Sequence, residues 1–330
     1  MRRVIVLGSA IVAFVALAGS LTAAETVVAK TASVEKAVPA EKLAATDSSA
    51  KTYALRYHFQ PNETLRWKVT QRTEITTSVS GTTQTVSATV QSVKVWRIQN
   101  VLEDGTVTFQ HSVENVDIHN KFSGSQEVHY NSQTDKKPPH GFEDAAQRVG
   151  VPLALVTMDS RGQIQSRQRN PKVKAGSAEN EGPMTLPLPA QPVAVGQTWS
   201  LPSEMAIPLP GGLVKKIKTM QKFKLASVDD GVATIELNTL VLTPIHDPAI
   251  EVQLIQRDSS ATIRFDIEAG RMLGQQVDID KRVVGFRGEA SRMHYLGRVN
   301  EEALGESPKP VAATASTSST AARPAAATRK

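Results

Sequence analysis

The chain has 330 residues, 40% hydrophobic and only 5% aromatic, with no cysteine and a formal net charge of +6. The missing cysteine excludes disulfides, thiolate metal sites and the lipid-bearing cysteine of a bacterial lipoprotein, so the fold must rest on its apolar core. The charge belongs to the ends. Arg2 and Arg3, with Lys309, Arg323, Arg329 and Lys330 against Glu306, carry nearly all of it. The middle is close to neutral, and no nucleic-acid-binding face is indicated.

The first residues, MRRVIVLGSAIVAFVALAGSLTAAE, have the layout of a secretory signal. Arg2 and Arg3 form the charged start, Val4 to Ala18 the apolar stretch, and Thr22-Ala23-Ala24 the small-residue cleavage site. The apolar stretch falls short of the roughly 18–20 residues that cross a bilayer, so no transmembrane anchor is expected in the mature chain. The expected location is periplasmic or extracellular. Residues 1–24 are thus read as a signal peptide and 25–51 as a linker rich in Ala, Val, Lys, Thr and Ser. The Ala/Ser/Thr/Pro-rich stretch 304–330 is read as a disordered tail, because it has almost no apolar surface to bury.

Between Thr52 and Ala303 the dominant period is two. Tyr53, Leu55, Tyr57 and Phe59 alternate, and Leu65, Trp67 and Val69 do so after a Pro61-Asn62 turn. Ala261, Ile263, Phe265 and Ile267 face one way, with Thr262, Arg264 and Asp266 opposite. Such alternation marks strands buried on one side, as in antiparallel sheets. Trp67, Trp96, Phe223 and Phe265 are expected to anchor the core. One helix is expected, Phe142 to Val149, stopped by Gly150 and Pro152.

The chain also resembles itself. NETLRW (62–67) aligns with GQTWSL (196–201), Asp104-Gly105 with Asp230-Gly231, and TMDSRGQI (157–164) with RFDIEAGRM (264–272). Asp-Gly suits tight hairpins because both residues tolerate positive φ. The predicted fold class is therefore mainly β (β-rich α+β): two duplicated antiparallel curved β-sheet units with at most one or two short helices. The units span 52–168 and 196–303. A proline-rich connector, 169–195, joins them and is expected to pack across the first unit through Leu186 and Leu188, since its prolines cannot sit in central strands.

The segments YALRYHFQPNETLRW, VGVPLALVTMDSRGQI, LPAQPVAVGQTW, LASVDDGVATIEL and IRFDIEAGRML, in that order, resemble a family of bacterial exported proteins of unknown function. That resemblance brings no catalytic residues. By looser analogy the layout is similar to the half-barrels of periplasmic lipoprotein carriers, a likeness of fold that carries no function.

Motifs for chemistry are few. No HExxH and no i, i+4 histidine pair occurs among His58, His111, His119, His129, His140, His246 and His294, which are read as exposed strand residues. Asp278 and Asp280 share a strand face and are read as solvated. No GxSxG elbow occurs. Asp159 and Asp266 stand before glycine turns, where they are expected to cap their own backbone rather than catalyse. No catalytic residue, metal site or cofactor is assigned. The stretch EMAIPLPGGLVKKIK (204–218) reads as an apolar loop that either covers the core or flaps over an apolar groove, and Met205, Ile207, Leu209, Leu213 and Val214 are the candidate ligand-binding residues. The expected function is a non-enzymatic exported protein of the cell envelope that binds a lipid or another envelope protein. The alternatives are a hydrolase with a site invisible in the sequence and a purely structural envelope component.

Overall fold

The computed structural model describes residues 51–173, 184–208, 213–256 and 258–305. The expected signal peptide, nearly all of the linker, most of the tail and Leu209 lie outside the described residues. In chain order the strands are β1 (Thr52–Tyr53), β2 (Thr64–Val79), β3 (Thr82–Val101), β4 (Val107–Phe122), β5 (Val128–Asn131), β6 (Pro152–Met158) and β7 (Ile164–Arg169). They continue with β8 (Val193–Ala194), β9 (Thr198–Pro208), β10 (Val214–Asp229), β11 (Val232–Val241), β12 (Ser260–Asp266), β13 (Arg271–Val284) and β14 (Arg292–Leu304). Two short helices are described, α1 (Glu143–Ala146) and α2 (Pro248–Leu254).

The fold is β-rich and its sheet is open and curved, as the alternating sequence requires. Eleven of the strands form one path, β7-β6-β4-β3-β2-β14-β13-β12-β11-β10-β9, with β5 added beside β4. Each named pairing is antiparallel. The two stretches expected as units are thus halves of a single sheet, joined where β14 pairs with β2 from Arg292↔Ser78 to Leu304↔Arg66. Hairpin chemistry accounts for the order. Asp230 and Gly231 both take positive φ, the geometry of the favoured two-residue hairpin turn, and they link β10 to β11.

The main core lies on the inner face near one end of the strands. Trp67, Trp96, Phe223 and Phe265 are all at most 3% exposed, with Phe109, Val107 and Val156 fully buried among them. Burying one such side chain is worth about 1.5–3 kcal/mol. Two non-strand segments complete this core. Residues 54–60, expected as a strand, pair with no neighbouring strand; only Thr52 and Tyr53 do, with β8. Leu55 and Tyr57 nevertheless enter the core, where Tyr57 meets Phe265 edge-on at 5.3 Å between ring centroids. The connector does what its leucines promised. Leu186 and Leu188 are buried, and the Leu186 backbone N–H donates to the Tyr57 hydroxyl at 3.0 Å. That buried hydroxyl is pushed far above its usual pKa by the loss of water around it.

At the other end of the strands the helices act as lids. Phe142, which precedes α1, packs on Ile118 and Tyr130. Helix α2 places Ile250 and Leu254 on Ile207 and Ile217, and Val252 on Ile75, Val283, Met293 and Tyr295. Asp247 caps α2 by accepting from the Ala249 N–H at 2.8 Å, and Pro248 opens its first turn.

Candidate functional site

Between the filled core and the lidded ends, the inner face of five central strands is left partly open. Register places Val277, Val299, Gln71, Val90 and Ile118 side by side across β13, β14, β2, β3 and β4. The next row toward the core is Gln275, Glu301, Val69, Ser92 and Val116. Directly opposed residues share a face, so these two rows floor one trough. Val69, Val90, Val116, Val277 and Val299 are half-buried and Gln71 is exposed. The floor is therefore largely aliphatic and within reach of solvent.

The inner end of the trough holds charge, and that charge is internally balanced. Lys94 pairs with Glu301, both side chains being largely buried. Gln275 Nε2 donates to the second Glu301 oxygen at 3.0 Å. The ammonium also lies 4.7 Å from the Trp67 ring centroid and 5.2 Å from that of Trp96, a cation–π arrangement. His111 stands opposite Trp96 and is 4% exposed, which corrects its reading as an exposed strand histidine. Burial, aided by the positive charges of Lys94 and Arg167, pushes its pKa down to about 3, so its ring is neutral at physiological pH.

Deeper in, little empty space remains. An enclosed cavity of about 10 Å³ beside Leu186, Phe223, Ile263 and Met272 has room for at most one water. A wider opening of about 470 Å³ over β10 to β13 is lined mainly by polar groups, among them Lys222, Lys224, Glu236, Asn238 and Thr262. Its lining suits polar contacts rather than an apolar chain.

The five candidate residues of the 204–218 stretch are not gathered into a loop. Met205 and Ile207 lie on β9 and Val214 opens β10, with pairing that continues to Pro208↔Val214. The segment is a hairpin arm. Pro208 is tolerated because β9 is the edge of the sheet, where a missing N–H facing outward costs no ladder bond. Ile207 is 7% exposed and belongs to the cluster under α2, whereas Leu213 and Val214 are 68% and 58% exposed at the tip. Leu209 falls outside the described residues.

The paired aspartates behave as backbone caps. Asp159 Oδ1 accepts from the N–H groups of Arg161 and Gln163 at 2.9 Å each, and Asp266 Oδ1 from that of Ala269 at 2.8 Å. Asp278 and Asp280 each meet a basic group on β14, Arg298 Nε at 2.5 Å and His294 Nε2 at 2.7 Å. One grouping escapes sequence reading altogether. On the outer face, β5 returns beside β4 and sets His129 opposite His119, next to Asp117. The signal was the spacing Asp-x-His in one strand with His-x-Asn in the next, but seeing it requires the hairpin register.

No family model matches the sequence, and no curated protein matches it. Among solved structures, one on lipid–protein interactions in lipovitellin aligns at 14% identity with a TM-score of 0.44, over 78% of this chain and 27% of that chain. This chain thus spans about a quarter of the lipovitellin chain. A second, DynF from the dynemicin biosynthesis pathway of Micromonospora chersina, aligns at 7% identity with a TM-score of 0.22, over 81% of this chain and 92% of that chain. At such scores neither likeness bears on what this chain does.

Proposed function

We propose that this is an exported protein of the bacterial cell envelope that binds rather than catalyses, holding an apolar chain of a lipid or of another envelope protein along the inner trough. The observation that carries the reading is the floor of that trough. Half-buried Val69 and Val299 lie at its middle on β2 and β14, between the main core, which Val277 joins, and the Phe142 cluster, which Val90 and Val116 join. Export rests on the N-terminal sequence layout. The two halves of the sheet are read as copies of one unit. In support, β2-β3-β4-β6-β7 and β9-β10-β11-β12-β13 follow the same meander order, and each half inserts a short helix before its fourth strand.

Native mass spectrometry of the exported protein tests the binding. A copurifying apolar adduct is expected, and Val69→Lys with Val299→Lys should abolish it while the protein stays folded. An adduct that survives both substitutions would place the ligand elsewhere. The well-filled core favours one other reading, a purely structural envelope component. A wild-type protein that carries no adduct and takes up no fatty acid or phospholipid from micelles would favour it.

A further inference from the structure

We propose that the outer face of the β4–β5 hairpin is a binding site for a divalent late first-row transition metal ion, held by Asp117, His119 and His129. The site is independent of the trough, which lies on the opposite face of β4. Along β4, Asp117 and His119 are two residues apart and so point the same way, and the register His119↔His129 brings the second ring directly across. The two imidazoles stack with centroids 4.1 Å apart and planes 22° apart. Asp117 Oδ1 lies 2.7 Å from His129 Nε2 and 3.2 Å from His119 Nε2, so three ligand atoms converge on one point.

The surrounding hydrogen bonds orient these atoms for a cation. Glu127 Oε1 is 2.7 Å from His119 Nδ1, a partner behind the ring that turns its Nε2 toward Asp117. Asn131 Nδ2 donates to the other Asp117 oxygen at 3.3 Å, fixing the carboxylate plane. A carboxylate behind a histidine, and an amide behind a carboxylate, are the usual outer partners of metal ligands. Zinc–ligand bonds of about 2.0–2.2 Å in a tetrahedron place ligand atoms roughly 3.3–3.6 Å apart, so the two contacts to Asp117 need lengthen by less than about 1 Å. Beneath the site, Ile118 and Tyr130 on the same two strands pack on Phe142, which holds the hairpin in register. Two imidazoles and one carboxylate suit Zn²⁺, Ni²⁺ or Cu²⁺ better than Ca²⁺ or Mg²⁺. With ligand side chains 34–45% exposed, water completes the coordination.

The test is calorimetric titration of untagged protein with ZnCl₂ at pH 7.5. Wild type should take up one ion saturably. His119→Ala and His129→Ala should each lose that binding with an unchanged circular dichroism spectrum. Glu127→Gln, which keeps all three ligands, should weaken it by about tenfold. Visible d–d bands of the Co²⁺-loaded protein, absent in both alanine variants, would report the histidine coordination directly. Failure of wild type to bind Zn²⁺, or equal binding by wild type and both alanine variants, would overturn the proposal.

Discussion

Gly162 and Gly270 press from two sides on the same short piece of chain. A Cβ at Gly162 would lie 2.6 Å from the Tyr57 ring and 2.5 Å from the Leu186 carbonyl oxygen, and one at Gly270 would lie 2.5 Å from the His58 backbone nitrogen. The turns that carry them also grip the segment by hydrogen bonds. Tyr57 N–H donates to the Ser160 carbonyl at 2.7 Å, and His58 N–H to the Gly270 carbonyl at 3.1 Å. Residues 54–60 are thus pinned between the β6–β7 and β12–β13 turns, although they belong to no strand ladder.

Substitution at these two glycines should therefore cost more than their backbone angles alone imply. Gly81 also has positive φ, but a Cβ there would meet nothing within 4 Å. Gly81→Ala should cost about 1–2 kcal/mol, the penalty of an L-residue in that conformation. Gly162→Ala and Gly270→Ala should each exceed it clearly in urea denaturation. Equal losses at all three sites would mean that the segment moves aside freely.

The buried ion pair predicts different outcomes for single and double changes. Glu301→Ala leaves the Lys94 ammonium largely buried without its counter-charge, a loss of about 3–5 kcal/mol. Lys94→Met combined with Glu301→Gln removes both charges at similar volume and should recover most of that loss. Chemical denaturation of the two variants checks this. A double variant as unstable as the single one would show that the pair is held for packing rather than charge balance.

His111 predicts acid sensitivity with a defined window. Its folded pKa of about 3 lies below the ordinary value of 6.5, so between those values the unfolded chain takes up a proton that the folded chain refuses. Stability is complete above about pH 6.5 and falls as the pH drops toward 3. At pH 4.5 the loss from this one group is on the order of 2–3 kcal/mol. His111→Gln should shrink the difference in unfolding free energy between pH 7 and pH 4.5 by about that amount. An unchanged difference would place the acid response in the carboxylates.

On the β9–β10 arm, position decides the outcome. Ile207→Ser removes a buried side chain from the cluster under α2 and should cost about 2–5 kcal/mol, as large-to-small core changes do. Leu213→Ser, at a tip 68% exposed, should change the melting temperature by no more than a degree or two. Thermal melts compare them. A large loss at Leu213 would mean that the tip is covered in solution.

Local chemistry made much of this fold legible in the sequence. Alternation picked out Trp67 and Phe265 as core because a strand buried on one side repeats every two residues. Asp159 and Asp266 were readable as turn caps because the acceptor and its N–H donors lie within a few residues. Helix α1 was found, one residue shorter at its start, where Phe142 is its cap, and three at its end. Helix α2 was missed although Asp247-Pro248 marks its beginning, since its seven residues cover two separate clusters and show no long apolar stripe. The β9–β10 arm was read as loop because proline and glycine signal breaks, and only sheet position reveals an edge strand that tolerates them. The His119–His129 pair was hidden for a different reason. Cross-strand neighbours depend on register, and a slip of one residue sends a side chain to the other face.

The union of β2 with β14 has a consequence for how the molecule comes into being. These strands are more than two hundred residues apart in the chain, yet each supplies the other's ladder at the middle of the sheet. While the chain emerges from a ribosome or a membrane pore, β2 can pair with β3 but must present its other edge bare until the last strand arrives. Pairings this distant are slow to form, and an unpaired edge of that length is a template for the wrong partner. A holding factor that keeps the nascent chain apart from its copies is therefore expected to matter more for this protein than for a meander whose strands close in order. The sheet acquires its centre last.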